Sequence, residues 1–358
     1  MLTLIKKHFK VKKVYVLLSS FWHLLFLITR TSMRKLLSTI LAAVVGSASI
    51  SLVAPTAFAA DWPQRPIKFV VPFSPGTGMD RIARLVGEKL QTRLGQPVVI
   101  DNKTGVSGHL GAQAVAQSPA DGYTFLVSAT NLPITANLYP SPKFNAMTEL
   151  VPMGIAAWGN ATLVASNKLP ARNLREVIAL AKASPGKISF ATPGAGSPSH
   201  LNLEQFQEET GAKFLAVHYK GTGPAVTDVL GGHVDLMFVA SHTVAPYVKA
   251  GQVKPIAIGS SKRNPALPDT PTFREAGFPG FSTDAWYGFL APKGTPAEIT
   301  DKLWREIREI LLMPEIKSDI EKSGLEVRPS TAEEMRTVMN KEYAMYGDII
   351  KRNGIKPD

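Results

Sequence analysis

The sequence predicts an α/β fold divided into two domains. Three observations carry that expectation. The chain has 358 residues, about two domains at ~100–200 residues each. Hydrophobic residues make up 45% and charged residues 19%, a globular balance that excludes a disordered chain. Short apolar runs alternate with stretches of helical periodicity, the pattern of strands joined by helices in largely parallel sheets.

The elements follow in order. After Trp62-Pro63, residues 67–73 form a short apolar run that reads as a buried strand. Met79, Ile82, Ala83, Val86, Leu90 and Leu94 then recur at helical spacing. Residues 98–100 and 123–127 are strands, with Asp121-Gly122 turning into the second. A strand at 162–165 precedes a helix at 174–183, opened by Asn173 and Glu176 as a capping box. Strands at 188–192, 214–219, 234–239 and 255–258 alternate with helices from Pro198, from Pro224 and near 244–250. Towards the C-terminus, residues 287–291 form a strand and Thr295-Pro296-Ala297-Glu298 reads as a capping box. Ile299, Leu303, Ile307, Ile310 and Leu311 stripe the helix that follows. A second long helix begins near Ser330, burying Met335, Val338, Met339, Tyr343, Tyr346, Ile349 and Ile350. These two helices, with no strand between them, are expected to clad a finished sheet.

The formal charge of +12 is concentrated at the N-terminus. Residues 1–59 hold eight basic residues and no acidic ones, leaving 32 basic against 28 acidic beyond. A nearly neutral body argues against nucleic acid as a partner. Met33-Arg34-Lys35, the apolar residues 36–45 and Ala57-Phe58-Ala59 follow the order of a secretory signal peptide. Residues 1–32 read as an upstream extension, residues 33–59 as the signal, and Ala60 as the mature start in the periplasm.

Three loops share one design. Residues 74–80, 193–200 and 220–224 each follow a strand, carry Gly-x-Gly with small hydroxyl residues, and open a helix. Glycine lets the backbone approach a ligand, and a helix N-terminus favours an anion such as a carboxylate or phosphate. No loop has a dinucleotide or P-loop fingerprint, so no nucleotide cofactor is expected. Ser197 before Pro198 also suits a plain N-cap. A hydrolase or transferase using Ser197 and His200 is the catalytic alternative, although no G-x-S-x-G elbow is present. The five histidines beyond residue 59 show no metal-ligand spacing, and no cysteine exists to supplement them. No metal is expected.

The stretch Pro72 through Asp80, PFSPGTGMD, resembles the P-F-x-P-G-G-x-x-D signature of the Bug-type receptors of tripartite tricarboxylate transporters. Asp101-Asn102-Lys103-Thr104-Gly105, Pro119 to Thr124, Pro193 to Leu201, Tyr219 to Ala225, Gly232 to Phe238, Pro268 to Gly277 and Trp286-Tyr287-Gly288 resemble further family segments in order. The resemblance implies a two-domain, hinged type II periplasmic binding fold that closes on a small organic anion and hands it to permease components in the cytoplasmic membrane. It implies no catalysis and no cofactor, and the receptor is expected to be a monomer. Carried over by motif, the ligand residues are Ser74, Gly76, Thr77, Gly78, Asp80, Ala195, Gly196, Ser197, His200, Tyr219, Lys220 and Gly221. Thr130 and Asn131 are added because they follow a neighbouring strand, and Ser241 because it follows Val239-Ala240, where the family has Asp-Asn. Thr77 in place of Gly and His109 in place of Asn are further departures. The first domain is expected at 60–160 plus 284–358 and the second at 161–283. A sensor domain of a transcription regulator shares the architecture, but a signal peptide stands where its DNA-binding segment belongs.

Overall fold

A computed structural model describes residues 62–356. The signal-peptide and upstream-extension readings fall on residues 1–59, outside the described residues.

The apolar runs become two mixed sheets. The first takes strands β1 (Ile67–Val71), β2 (Val98–Asn102), β3 (Thr124–Ala129), β4 (Leu150–Gly159), β10 (Ala285–Pro292) and β11 (Glu326–Val327) in the order β11-β4-β10-β3-β1-β2. The second takes β5 (Ala161–Ala165), β6 (Ser189–Thr192), β7 (Leu215–His218), β8 (Leu236–Ala240) and β9 (Lys254–Ile258) in the order β7-β6-β8-β5-β9.

The sheets are less parallel than the alternating pattern predicts. β1 is parallel to β2 and β3, and β6 to β7 and β8. β5 and β10, however, run antiparallel to both of their neighbours. The reason is topological. Each is the first strand after the chain crosses between sheets, and each starts beside the end of another strand. Ala161 pairs with Ala240 at the end of β8, and Ala285 with Gly159 at the end of β4. A strand that enters at that edge can only run away from it.

Helices cover both faces of each sheet. Along β1, Phe69 and Val71 face α1 (Gly78–Leu94) and α9 (Ala297–Leu311), with Ile82, Val86, Leu90, Leu303 and Ile307 fully buried. Val70 faces the opposite layer with Leu126, Trp286, Met335 and Met339, the alternation a strand imposes. The second sheet packs Phe190, Phe206, Phe238, Phe273 and Phe281 on one face and Val164, Met237, Val239 and Val244 on the other.

Two details depart from the sequence reading. α9 begins at Ala297 with Pro296 at its N-cap, and Thr295 donates to the Pro292 carbonyl (2.8 Å) instead of capping. Helix α10 (Pro314–Lys322) and β11 separate α9 from the last helix, α11 (Ala332–Arg352). That helix has a reciprocal capping box, Thr331 with Glu334.

The two crossings are tied together by one side chain. The Thr283 hydroxyl accepts from the Ala161 amide (2.9 Å) and lies 3.1 Å from the Ala161 carbonyl and 3.2 Å from that of Gly259. Thr283→Val leaves the half-buried Ala161 amide without its acceptor. Urea unfolding should show a loss of about 1–3 kcal/mol, against about 0.5 kcal/mol or less for Thr227→Val on an exposed helix face.

Candidate functional site

The loop after β1 is built by Asp80. Its buried carboxylate accepts from the Gly76 amide (2.9 Å), Arg84 Nε (3.0 Å), Arg84 Nη2 (2.9 Å) and Asn102 Nδ2 (2.9 Å). Burial alone raises its pKa, but the hydrogen bonds from Arg84, Gly76 and Asn102 together hold it below the usual carboxylate range. With these bonds in place, Asp80 shapes the loop from within. Gly76 sits at φ +88°, a conformation glycine adopts without strain. Thr77 caps α1 by accepting from the Asp80 amide. Gly78 lies against Tyr287, whose ring a Cβ there would meet at 3.0 Å. Ser74 is exposed.

Beside this loop lies a feature the sequence reading passed over. Gly105, Val106, Ser107 and Gly108 all have positive φ, immediately before helix α2 (His109–Ala116). For a β-branched residue such as Val106 this is an unusual backbone. The two glycines bracketing Val-Ser ahead of a helix are the signal that could have marked it. The turn is held by Asn131, which opens helix α3 (Asn131–Leu138) and donates from Nδ2 to the Ser107 carbonyl (3.1 Å). Gly108 packs against Asn131, Phe73 and Pro72 so closely that a Cβ would lie 2.8–3.2 Å from them. The turns after β1, β2 and β3 therefore meet at Asn131. Thr130 instead turns inwards, accepting from the Trp286 amide (3.1 Å) and bonding Glu342.

In the second sheet, Ser197 caps helix α6 (Pro198–Thr210) by accepting from the His200 amide (3.3 Å). His200 Nδ1 accepts from the Gly196 amide (3.0 Å), and its Nε2 lies 3.5 Å from Glu204. The imidazole thus holds the loop that carries it, an arrangement unlike a serine nucleophile and its base. Ala195 is half-buried in the same loop. The Gly221 amide donates to the Pro193 carbonyl (3.0 Å), joining the third glycine loop to the second. Tyr219 donates to Asp228 (2.7 Å), and burial together with that carboxylate pushes its pKa up to about 12. Lys220 is exposed. Ser241 belongs to the crossing, bonded to Thr162 (2.7 Å) and Asn160 (2.6 Å).

The amides of Gly76, Gly196 and Gly221 are therefore all committed within their own lobes. Amides in the first helical turns, such as those of Gly78, Met79 and Ser199, occupy positions that helices leave unpaired. The two sets of loops approach each other through α3. Its Leu138 lies where a Cβ on Gly196 would fall, at 2.1 Å, and Ile134 and Leu138 pack with Leu201, Tyr346 and Ile349. Among the described residues, three buried side-chain atoms lack any hydrogen-bond partner: Ser128 Oγ, Asn131 Oδ1 and Ser199 Oγ. A cavity of about 240 Å³ lined by Pro140, Phe144 and Tyr343 includes none of the glycine loops. Among the described residues no group of three His, Asp or Glu side chains could hold a metal ion.

Residues 82–355 match the family described as the tripartite tricarboxylate transporter family receptor. Protein BugT of Bordetella pertussis is 36% identical over 89% of this chain and 98% of its own. Among solved structures, the periplasmic binding protein BugD is 34% identical with a TM-score of 0.73, over 82% of this chain and 99% of its own. MatC from Rhodopseudomonas palustris, solved with bound malate, is 30% identical with a TM-score of 0.72, over 81% and 100%. An R. palustris protein solved with adipate is 33% identical with a TM-score of 0.75, over 83% and 100%.

The residue beneath Thr130 has its own pH signature. Glu342 is buried on α11 and accepts from Trp286 Nε1 (2.7 Å). Burial raises its pKa to about 8, more than the bonds from Trp286 and Thr130 and the nearby Lys341 offset. The folded state then keeps a proton that the unfolded chain releases near pH 4.5. Stability from this group is full below about pH 4.5 and declines towards pH 8, by at most about 1.4 kcal/mol per pH unit. Glu342→Gln should flatten that decline in chemical unfolding measured from pH 5 to 8.

Proposed function

The chain belongs to the tripartite tricarboxylate transporter receptor family, and we propose that it captures a small carboxylate in the periplasm and passes it to a membrane permease. The observation that carries this reading is the likeness, over four-fifths of the chain, to proteins solved with adipate and with malate. The N-terminal signal pattern supports export. Among the described residues, those up to 160 with those from 284 onwards form one lobe and residues 161–283 the other. The two peptide crossings near Asn160 and Thr283 serve as the hinge, a geometry suited to closure around a solute.

The carboxylate rests between the loops that open α1 and α6. Helix N-termini favour an anion through their dipoles and unpaired amides. Because the Gly76 and Gly196 amides are engaged internally, donors come from the first turns of those helices, with Ser74 and Lys220 at the rim. Asp80 and His200 hold the loops in shape, and Gly196 keeps the two sides close.

A thermal-shift screen of mono-, di- and tricarboxylates, followed by titration calorimetry, tests this reading. At least one carboxylate should raise the melting temperature and bind without being altered. Gly196→Val, strained at φ +68° and pressed on Leu138, should weaken that binding about tenfold or more while circular dichroism stays native. Absence of binding across the acids, or turnover of any of them, would overturn the proposal.

A further inference from the structure

The wall of the first lobe holds an unused hydrogen-bond acceptor. Asn131 is 4% exposed, and its Oδ1 has no partner. The amide's orientation follows from its neighbour. The Ser107 carbonyl can only accept, so Nδ2 must face it and Oδ1 must point elsewhere. Rotation to satisfy Oδ1 would break that bond and release the turn at 105–108. The residue before it is also fixed, because Thr130 is bonded to the Trp286 amide and to Glu342.

The direction in which Asn131 points follows from helical spacing. Asn131, Ile134 and Leu138 fall at i, i+3 and i+7 on α3, one face of the helix. Ile134 and Leu138 on that face pack with Leu201 of α6 as well as with Tyr346 and Ile349 of α11, and Leu138 abuts Gly196. Asn131 is thus the first residue of the face turned towards the second lobe, at the edge where the turns after β1, β2 and β3 meet. A buried amide oxygen left bare is costly, and the loop after β1, which the preceding proposal assigns to the solute, begins beside the same turn, with Pro72 and Phe73 against Gly108.

Resting on that proposal, we infer that Asn131 Oδ1 selects a solute carrying a hydrogen-bond donor, a hydroxyl or an amine, close to its carboxylate. A carboxylate cannot satisfy this atom, since both are acceptors at neutral pH. An alkyl diacid would leave it bare, whereas a hydroxy or amino acid of the same length fills the same space and completes the bond. Discrimination of this kind is strong because the site's own group goes unpaired with the wrong solute.

Calorimetry on matched pairs provides the test: succinate against both malate enantiomers and L-aspartate, glutarate against 2-hydroxyglutarate, and propionate against lactate. For the chain length that fits, the donor-bearing acid should bind about tenfold tighter or more. Asn131→Leu, similar in volume but without the acceptor, should reduce the ratio to within about threefold. Asn131→Gln, reaching further, is the second variant and should change the ratio without erasing it. Equal affinities within every pair, or a preference that survives in Asn131→Leu, would overturn the inference while leaving carboxylate capture standing. If neither member of any pair binds while another carboxylate does, the inference falls alone; if no carboxylate binds, both fall.

Discussion

Everything distinctive about this fold depends on the chain passing twice between its sheets at one place. The first passage is Asn160 and the second precedes Ala285, and the hydroxyl of Thr283 bonds the backbone of the first. Around that point Asn160 accepts from Ser241 (2.6 Å) and Asn264 (3.3 Å), while Asn264 donates to the Gly324 carbonyl (3.0 Å). These bonds are short in reach and involve few residues. They hold the register of both sheets at the crossing, and they leave the remainder of each lobe to pack on its own core. Because both passages join sheets at the edge where β4 and β8 end, the turns that follow the parallel strands of each sheet share that edge.

The same constraint explains the chemistry at the edge. A turn leaving a parallel strand must reverse direction within a few residues and present the start of a helix. Glycines at 76, 105, 108, 194 and 196 supply the positive φ that such reversals need. Polar residues then hold the turns rigid: Asp80 for the first, Asn131 for the second, and Ser197 with His200 for the third. Rigidity of this sort favours binding, because the loops lose little freedom when a solute arrives. The family to which the chain belongs is one of transporter receptors.

Much of this was legible in the residues. The stripe of α9 is buried throughout, and those of α1 and α11 are buried except for the half-buried Leu94, Val338, Tyr343 and Ile350. Asn173 and Ser197 cap the helices they precede. What escaped has physical causes. β4 is buried along most of both faces, so it shows no alternation to mark it as a strand. α3 carries Pro133 and is nearly buried all round, so no amphipathic stripe announces it. The direction of β5 and β10 depends on the crossing, which no local pattern encodes. Side-chain roles were harder still. Asp80 and Thr130 sit where ligand residues are expected yet spend their bonds on the protein, a distinction set by tertiary partners such as Arg84 and Trp286. The positive-φ turn at 105–108 includes Val106, a residue type that argues against such a backbone.

Two lobes joined at this crossing are proposed to close on a carboxylate. Small-angle scattering of the protein, with and without a saturating acid shown by calorimetry to bind, tests this closure most directly. Closure predicts a smaller radius of gyration in the bound state, since binding draws the population towards the form in which both lobes touch the solute. An unchanged radius with the acid bound would contradict the hinge and leave a rigid binding site in its place.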